Sequence, residues 1–437
     1  MDKNRRTSDF LLVLWAGGGA LIAYFLVYAL RKAFTASTFE GMEVFGMDYK
    51  IVINISQVIG YLISKFIGIK IVSELKRKHR LPAIIISVVC AELALVAFGI
   101  VPYPMNFICL FFNGLALGSM WGFLFAYLEG RKLTDLLASF LGVSIVISTG
   151  AAKSFGLWVL GMDVSPFWMP AVIGAVALPL LIIVALLLDR LPEPSAEDIA
   201  YRVAREPLDG KRRMALFKKY SAILVPLLAV NVLFTMLRDI KEDFLVDIVQ
   251  YTSINLTSFL FVRINAVVTV ILLVVLGSMI FVKDNRKALN ALMLLMFLGS
   301  LLVLTSSAFF DRLSATPVLW LLLQTMGIYT AYLAFQTVFF DRFIANFRIS
   351  GNVGFFIYLA DFLGYLCSCG FLFIKTFLNL NLNWLQYYKL LASSIGVICI
   401  LSTGIAFLMM SDKSKIIIFS YLPFFNKKLE PCLEINK

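Results

Sequence analysis

Apolar positions along the chain neither alternate nor follow a single helical stripe. They come in blocks of about 20 residues separated by short polar stretches. A block of that length crosses a bilayer as a helix, because hydrocarbon satisfies none of the backbone's polar groups. Twelve spans are expected, at about 10–34, 50–72, 81–101, 106–128, 136–160, 167–188, 220–240, 254–282, 289–310, 315–340, 352–375 and 388–410. The polar stretch Asp189–Lys219 is the longest between spans and divides them six and six. It contains Pro192, Pro194 and Pro207 and ends in Lys211-Arg212-Arg213 and Lys218-Lys219. The expected organisation is an N-terminal half (1–188), a linker (189–219), a C-terminal half (220–410) and a tail (411–437). Within the tail, 416–425 is apolar and aromatic, suited to a short interfacial segment.

Composition supports this pattern. The chain of 437 residues is 60% hydrophobic and 15% charged, with a mean hydropathy of +0.89. A soluble domain carries about 25% charged residues. Soluble enzymes, nucleic-acid-binding domains and disordered chains are excluded. The net charge of +12 has a topological origin. With the N-terminus inside, about 27 of the 39 Lys and Arg fall on the inner side and about 8 on the other. Both termini are therefore expected in the cytoplasm, for a multi-pass protein of a bacterial inner (plasma) membrane. The run after Arg5-Arg6 is too long for a signal peptide core and reads as a retained span. Five of the six cysteines lie in apolar segments, and the single histidine, His79, lies in a basic loop. No metal, cofactor or enzymatic chemistry is expected, and the chain reads as a monomer.

Charge within a span is costly unless it faces a cavity or a partner, so it marks function by default. The candidates are Lys65, Glu92, Lys153, Arg263 and Asp361, joined by Arg31 and Arg238 if spans 1 and 7 continue past their apolar cores. Five cations against two carboxylates suit a small solute bearing more than one negative charge. Arginine holds phosphate and carboxylate best, because its planar fork bonds two oxygens. Tyr24, Tyr28 and Arg31 share a face at i, i+4, i+7, as do Tyr358, Asp361 and Tyr365 at i, i+3, i+7; Tyr61 and Lys65 stand at i, i+4. Bland roles fit some of these. Lys65 suits snorkelling, Arg263 and Asp361 suit a mutual ion pair, Glu92 suits packing, and Lys32 suits solvent or headgroups. Gly17-Gly18-Gly19 and Gly114-x3-Gly118 suit close helix contacts.

The halves echo each other. Span 1 ends Leu30-Arg31 and span 7 ends Leu237-Arg238. At 1.5 Å rise per residue, Arg31 stands roughly 33 Å above Asp9 and Arg238 roughly 28 Å above Lys219. This six-plus-six layout resembles the major facilitator superfamily. Tyr24–Phe34, Gly60–Ile67, Gly354–Gly364 and Leu237-Arg238 resemble its organophosphate:phosphate antiporter branch. The resemblance implies an all-α fold of twelve transmembrane helices and alternating access around a midplane site. It also implies exchange of a phosphorylated solute for inorganic phosphate. By position it assigns solute binding to Arg31, Arg238, Lys65, Tyr24, Tyr28, Tyr61, Tyr358 and Asp361; Lys153 and Arg263 are added cations. The chain departs from the branch in its loop 2–3 motif, in lacking a span 5 histidine, and in Arg263. Two other readings stand beside this one: a non-transporting sensor of a sugar-phosphate-like ligand, and a proton-coupled symporter using Asp361 or Glu92.

Overall fold

The computed structural model describes residues 11–129, 131, 133–193, 210–313, 316–347, 354–377 and 382–411. The proposed tail segment at 416–425 lies outside them. Among the described residues, twelve helices are long and apolar enough to cross a membrane. They are α1 (Val13–Ala36), α2 (Tyr49–Gly68), α3 (Arg77–Ile100), α4 (Phe107–Leu128), α5 (Leu136–Leu160), α6 (Met169–Asp189), α7 (Phe217–Asp243), α8 (Leu260–Gly277), α9 (Asn285–Ala308), α10 (Pro317–Phe339), α11 (Ala360–Phe377) and α12 (Trp384–Met410). All twelve coincide with expected spans. The side where α1 begins is called the near side here, and the opposite one the far side.

Packing repeats at an offset of six helices. In the first half α1 lies against α5 and α6, and α3 against α4 and α6; in the second, α7 lies against α11 and α12, and α9 against α10 and α12. Across the seam α5 packs on α8 and α2 meets α11. The result is an all-α membrane protein of two six-helix halves.

Small residues set the tightest contacts. A Cβ at Gly60 would lie 2.0 Å from the Phe111 carbonyl oxygen, and one at Gly114 2.0 Å from that of Gln57. Gly118 meets Tyr61 and Ser64 in the same way. Thus α2 and α4 touch backbone to backbone, as the Gly-x3-Gly spacing predicts. Gly17 and Gly19 press on Phe140 and Leu188, also a packing role.

Helix ends differ from the apolar blocks where polar residues are buried. The helix containing α7 runs Gly210–Asp243, reaching into the linker at one end and past the apolar core at the other. A short helix, Leu245–Val249, follows it. α1 continues through Arg31 and Lys32 and closes with a 3-10 turn, Ala33–Ala36. A two-stranded hairpin follows, β1 (Glu43–Val44) and β2 (Met47–Asp48). Its turn is Phe45-Gly46, both at positive φ (55° and 71°), the geometry that matches strand twist in a two-residue loop.

Candidate functional site

Arg31 is held at the end of α1 by its neighbours. The last carbonyls of a helix lack internal partners. Here Asn113 Nδ2 donates to the Leu30 oxygen (3.1 Å) and Gln57 Nε2 to the Arg31 oxygen (2.7 Å). Gln57 also donates to Asn113 Oδ1 (2.8 Å). The side chain of Arg31 is buried, 3% exposed. Its guanidinium lies 3.7 Å above the Tyr61 ring, 5.6 Å from Tyr28 and 5.8 Å from Tyr365. Among the described residues no carboxylate pairs with it, and its Nε has no hydrogen-bond partner. A buried guanidinium on tyrosine faces keeps its fork free for an anion.

Arg238 approaches from the other half. It lies 4.3 Å from the Tyr332 ring and 5.9 Å from that of Tyr365. It donates to the carboxylate of its neighbour Asp239 at 2.7 and 3.0 Å. The two arginines therefore flank one ring, Tyr365 of α11. Tyr24 stacks edge-on with Tyr28 at 5.4 Å, and Tyr61 with Tyr365 at 5.2 Å.

Ion pairs close the seam on both sides of this level. Toward the near side, Lys65 bonds Asp361, which also accepts from Gln336 at 2.5 Å. Gln336 sits in a π-helical stretch of α10, Ala334–Phe339. Lys65 also lies 5.2 Å from both the Tyr61 and Tyr365 rings. Asp361 is thus paired with Lys65 and not with Arg263, and Lys65 does not snorkel. Toward the far side, Lys32 bonds Asp243 at 2.7 and 2.9 Å, Lys50 bonds Asp247 at 2.5 Å, and Lys153 bonds Glu242 at 2.7 Å. Lys241 shares Glu242 at 2.7 Å, and Tyr329 donates to it at 3.2 Å. Lys32 is buried, so the expectation that it faces solvent is corrected. Asp247 stands beyond the end of α7, where burial pushes its carboxyl above the ordinary value despite the opposing pull of Lys50.

Two regularities emerge. In all four pairs that cross the seam among the described residues, the lysine belongs to the first half and the carboxylate to the second. Among the described residues, seven cations line the seam (Arg31, Lys32, Lys50, Lys65, Lys153, Arg238, Lys241) against five carboxylates (Asp239, Glu242, Asp243, Asp247, Asp361). The difference is two positive charges.

The structure brings Arg31, Arg238, Lys65, Tyr24, Tyr28, Tyr61 and Asp361 together, with Lys153 in the adjoining far-side layer. Arg263 does not join them. It is exposed, on the side of α8 opposite its buried face of Phe261, Ile264, Asn265, Val268 and Leu272. The Tyr358 side chain lies outside the described residues. Glu92 is buried behind α1 against Gly174 of α6, with Oε2 unpartnered. Sequence reading missed Lys50, Asp239, Lys241, Glu242, Asp243, Asp247, Tyr329, Tyr332 and Gln336.

A family model described as "Family of unknown function (DUF5690)" matches residues 33–413. No curated protein matches the sequence. Solved structures share the fold. A nucleoside transporter, NupG, superposes with a TM-score of 0.60 at 14% identity, covering 92% of this chain and 99% of that one. A D-xylose–proton symporter gives 0.58 at 13%, covering 92% and 96%. The human organic anion transporter MFSD10 (TETRAN) gives 0.52 at 15%, covering 91% and 98%. These are major facilitator superfamily transporters, and the fold of this multi-pass membrane protein is theirs.

Proposed function

The chain belongs to the DUF5690 family, whose function is unknown, and from that premise we propose that it is a secondary transporter of a small, multiply anionic solute. The solute is phosphorylated and exchanges against inorganic phosphate by alternating access. One observation carries this reading: Arg31 and Arg238, from opposite halves, flank Tyr365 in a seam with two uncompensated positive charges. A doubly charged anion between them balances that excess and draws the halves together. Without it, mutual repulsion of the two arginines opposes closure, which favours exchange over leak. Lys65 and Asp361 form the near-side latch, and Lys32, Lys50 and Lys153 with their carboxylates form the far-side one. Tyr24, Tyr28 and Tyr61 supply ring faces and hydroxyls. The similarity in fold to sugar, nucleoside and organic-anion transporters supports transport over the sensor reading. The distribution of Lys and Arg supports an orientation with both termini cytoplasmic and the near side inward, in what we take to be a bacterial inner membrane.

The test is uptake of labelled phosphate into liposomes loaded with phosphate. Flux should require internal phosphate and vanish in the Arg31→Ala, Arg238→Ala double variant. Folded protein that shows no flux in any loading removes phosphate as counter-solute.

One observation favours a second reading, proton-coupled symport. Glu92, within α3, keeps a carboxylate oxygen with no hydrogen-bond partner, and an acidic residue in a span is a candidate proton carrier by default. Collapse of an imposed proton gradient stops symport and leaves anion exchange running.

A further inference from the structure

Packing repeats at an offset of six helices, and setting Arg238 of α7 against Arg31 of α1 aligns the residues before them. Arg238 corresponds to Arg31, Thr235 to Tyr28 and Asn231 to Tyr24, with identical spacings of three and four. The first half therefore presents an aromatic stripe, and the second a stripe of small polar side chains. Thr235 Oγ1 is spent on the Asn231 carbonyl at 2.7 Å. Asn231 is different. Its side chain is 0% exposed, yet neither Oδ1 nor Nδ2 has a hydrogen-bond partner.

An amide buried with both groups unpaired destabilises a fold, and in a hydrocarbon setting no solvent offsets the loss. A leucine of similar volume would lack that cost. The position of the amide suggests what it waits for. Asn231 shares a helical face with Arg238, two turns toward the near side, about 10 Å along the axis. The same stripe is covered by α11, where a Cβ at Gly364 would come within 2.6 Å of Thr235 Cγ2. α11 also carries Asp361, the carboxylate of the near-side latch. The near-side latch is thus carried by the helix that packs on Thr235, one turn from Asn231.

We infer that Asn231 is a specificity-determining contact, exchanging hydrogen bonds with an uncharged polar group of the solute, a hydroxyl or an amide. That group lies about 10 Å from the anionic head held by the arginines. The inference rests on the anion reading above. It implies that the preferred solute is not a bare inorganic anion or an anion with an apolar tail.

Thermal stabilisation of the purified protein tests this with three probes: inorganic phosphate, a six-carbon polyol phosphate and an alkyl phosphate of the same length. Wild type should bind the polyol ester roughly 10- to 100-fold more tightly than the alkyl ester, the range expected when a buried amide gains or lacks its partner. Asn231→Leu should abolish that preference and leave the response to inorganic phosphate unchanged. Its midpoint without ligand should not fall, because an unpaired amide has been removed. Asn231→Ala, smaller and without a hydrogen-bonding side chain, gives a second reading of the same preference should the leucine variant not fold. A preference that survives in the variants overturns the inference, as does a leucine variant whose ligand-free midpoint drops and whose response to all three probes weakens alike. In either case wild type still responds to phosphate through Arg31 and Arg238, and the anion reading stands. A wild type unmoved by any of the three probes removes the anion reading and this inference with it.

Discussion

Arg31 and Lys65 stand on adjacent helices, both against Tyr61, yet only Lys65 has a carboxylate. On the proposed function, that difference separates a binding charge from a latch charge. Arg31→Lys preserves the charge but loses the fork that bonds two oxygens. Phosphate binding is expected to weaken about tenfold or more, the value of one lost charge-assisted bond. Calorimetric affinities equal to wild type would show that charge alone suffices. For the latch, Asp361→Asn leaves Lys65 without its carboxylate, and breaking a buried pair costs about 3–5 kcal/mol. The double variant Lys65→Met, Asp361→Leu should unfold at a higher temperature than either single one. The contrast between the arginines and their surroundings was partly legible beforehand. The Tyr24, Tyr28, Arg31 face and the Tyr61–Lys65 step are local helical spacings. The partner of Lys65 was not legible, because Asp361 lies 296 residues away. The outward direction of Arg263 was not legible either, since a span's lipid-facing side is decided by which helix packs against it.

Helix contacts explain what places these side chains. α2 and α4 meet through glycine, and Gln57 on that contact reaches across to hold the Arg31 carbonyl, near the end of the α-helical part of α1. Gly114→Leu would put a side chain where only 2.0 Å separates a Cβ from the Gln57 carbonyl oxygen. Neither backbone can move without displacing the other. Size-exclusion profiles in detergent should show loss of folded protein. Gly404→Ala on α12, with nothing within 4 Å of its new Cβ, should elute like wild type. Twelve spans were legible from block length alone. Their functional ends were not. Hydropathy falls at Arg238–Asp243 as it does at a membrane surface, which puts the expected end of span 7 at 240. Here the fall marks charge buried between halves: Lys241, Glu242 and Asp243 are each at most 5% exposed. The same fall in hydropathy at the end of span 1 is why Lys32 reads as facing solvent or headgroups.

At the scale of the molecule the seam is held on both sides of the arginines, by one pair toward the near side and three toward the far side. Removing a far-side pair should bias the protein toward far-side opening. In Lys50→Ala, Asp247→Ala, a cysteine introduced at Thr35, buried beside Lys50, should react faster with a membrane-impermeant maleimide than in the parent. An unchanged rate would mean that the remaining pairs carry the closure alone.

The sorting of lysine to one half and carboxylate to the other reaches beyond gating. A chain built from two similar repeats risks mispairing, with one copy of a half docking onto a second copy of itself. Here such a homodimer would set lysine against lysine, or acid against acid, within a low-dielectric contact where like charges repel strongly. The heterologous arrangement is the one in which the signs match. The two halves thus carry an address for each other, written in charge. Expressed as separate polypeptides from one cell, they should co-purify as a one-to-one complex. Each half tagged alone should fail to capture an untagged copy of itself.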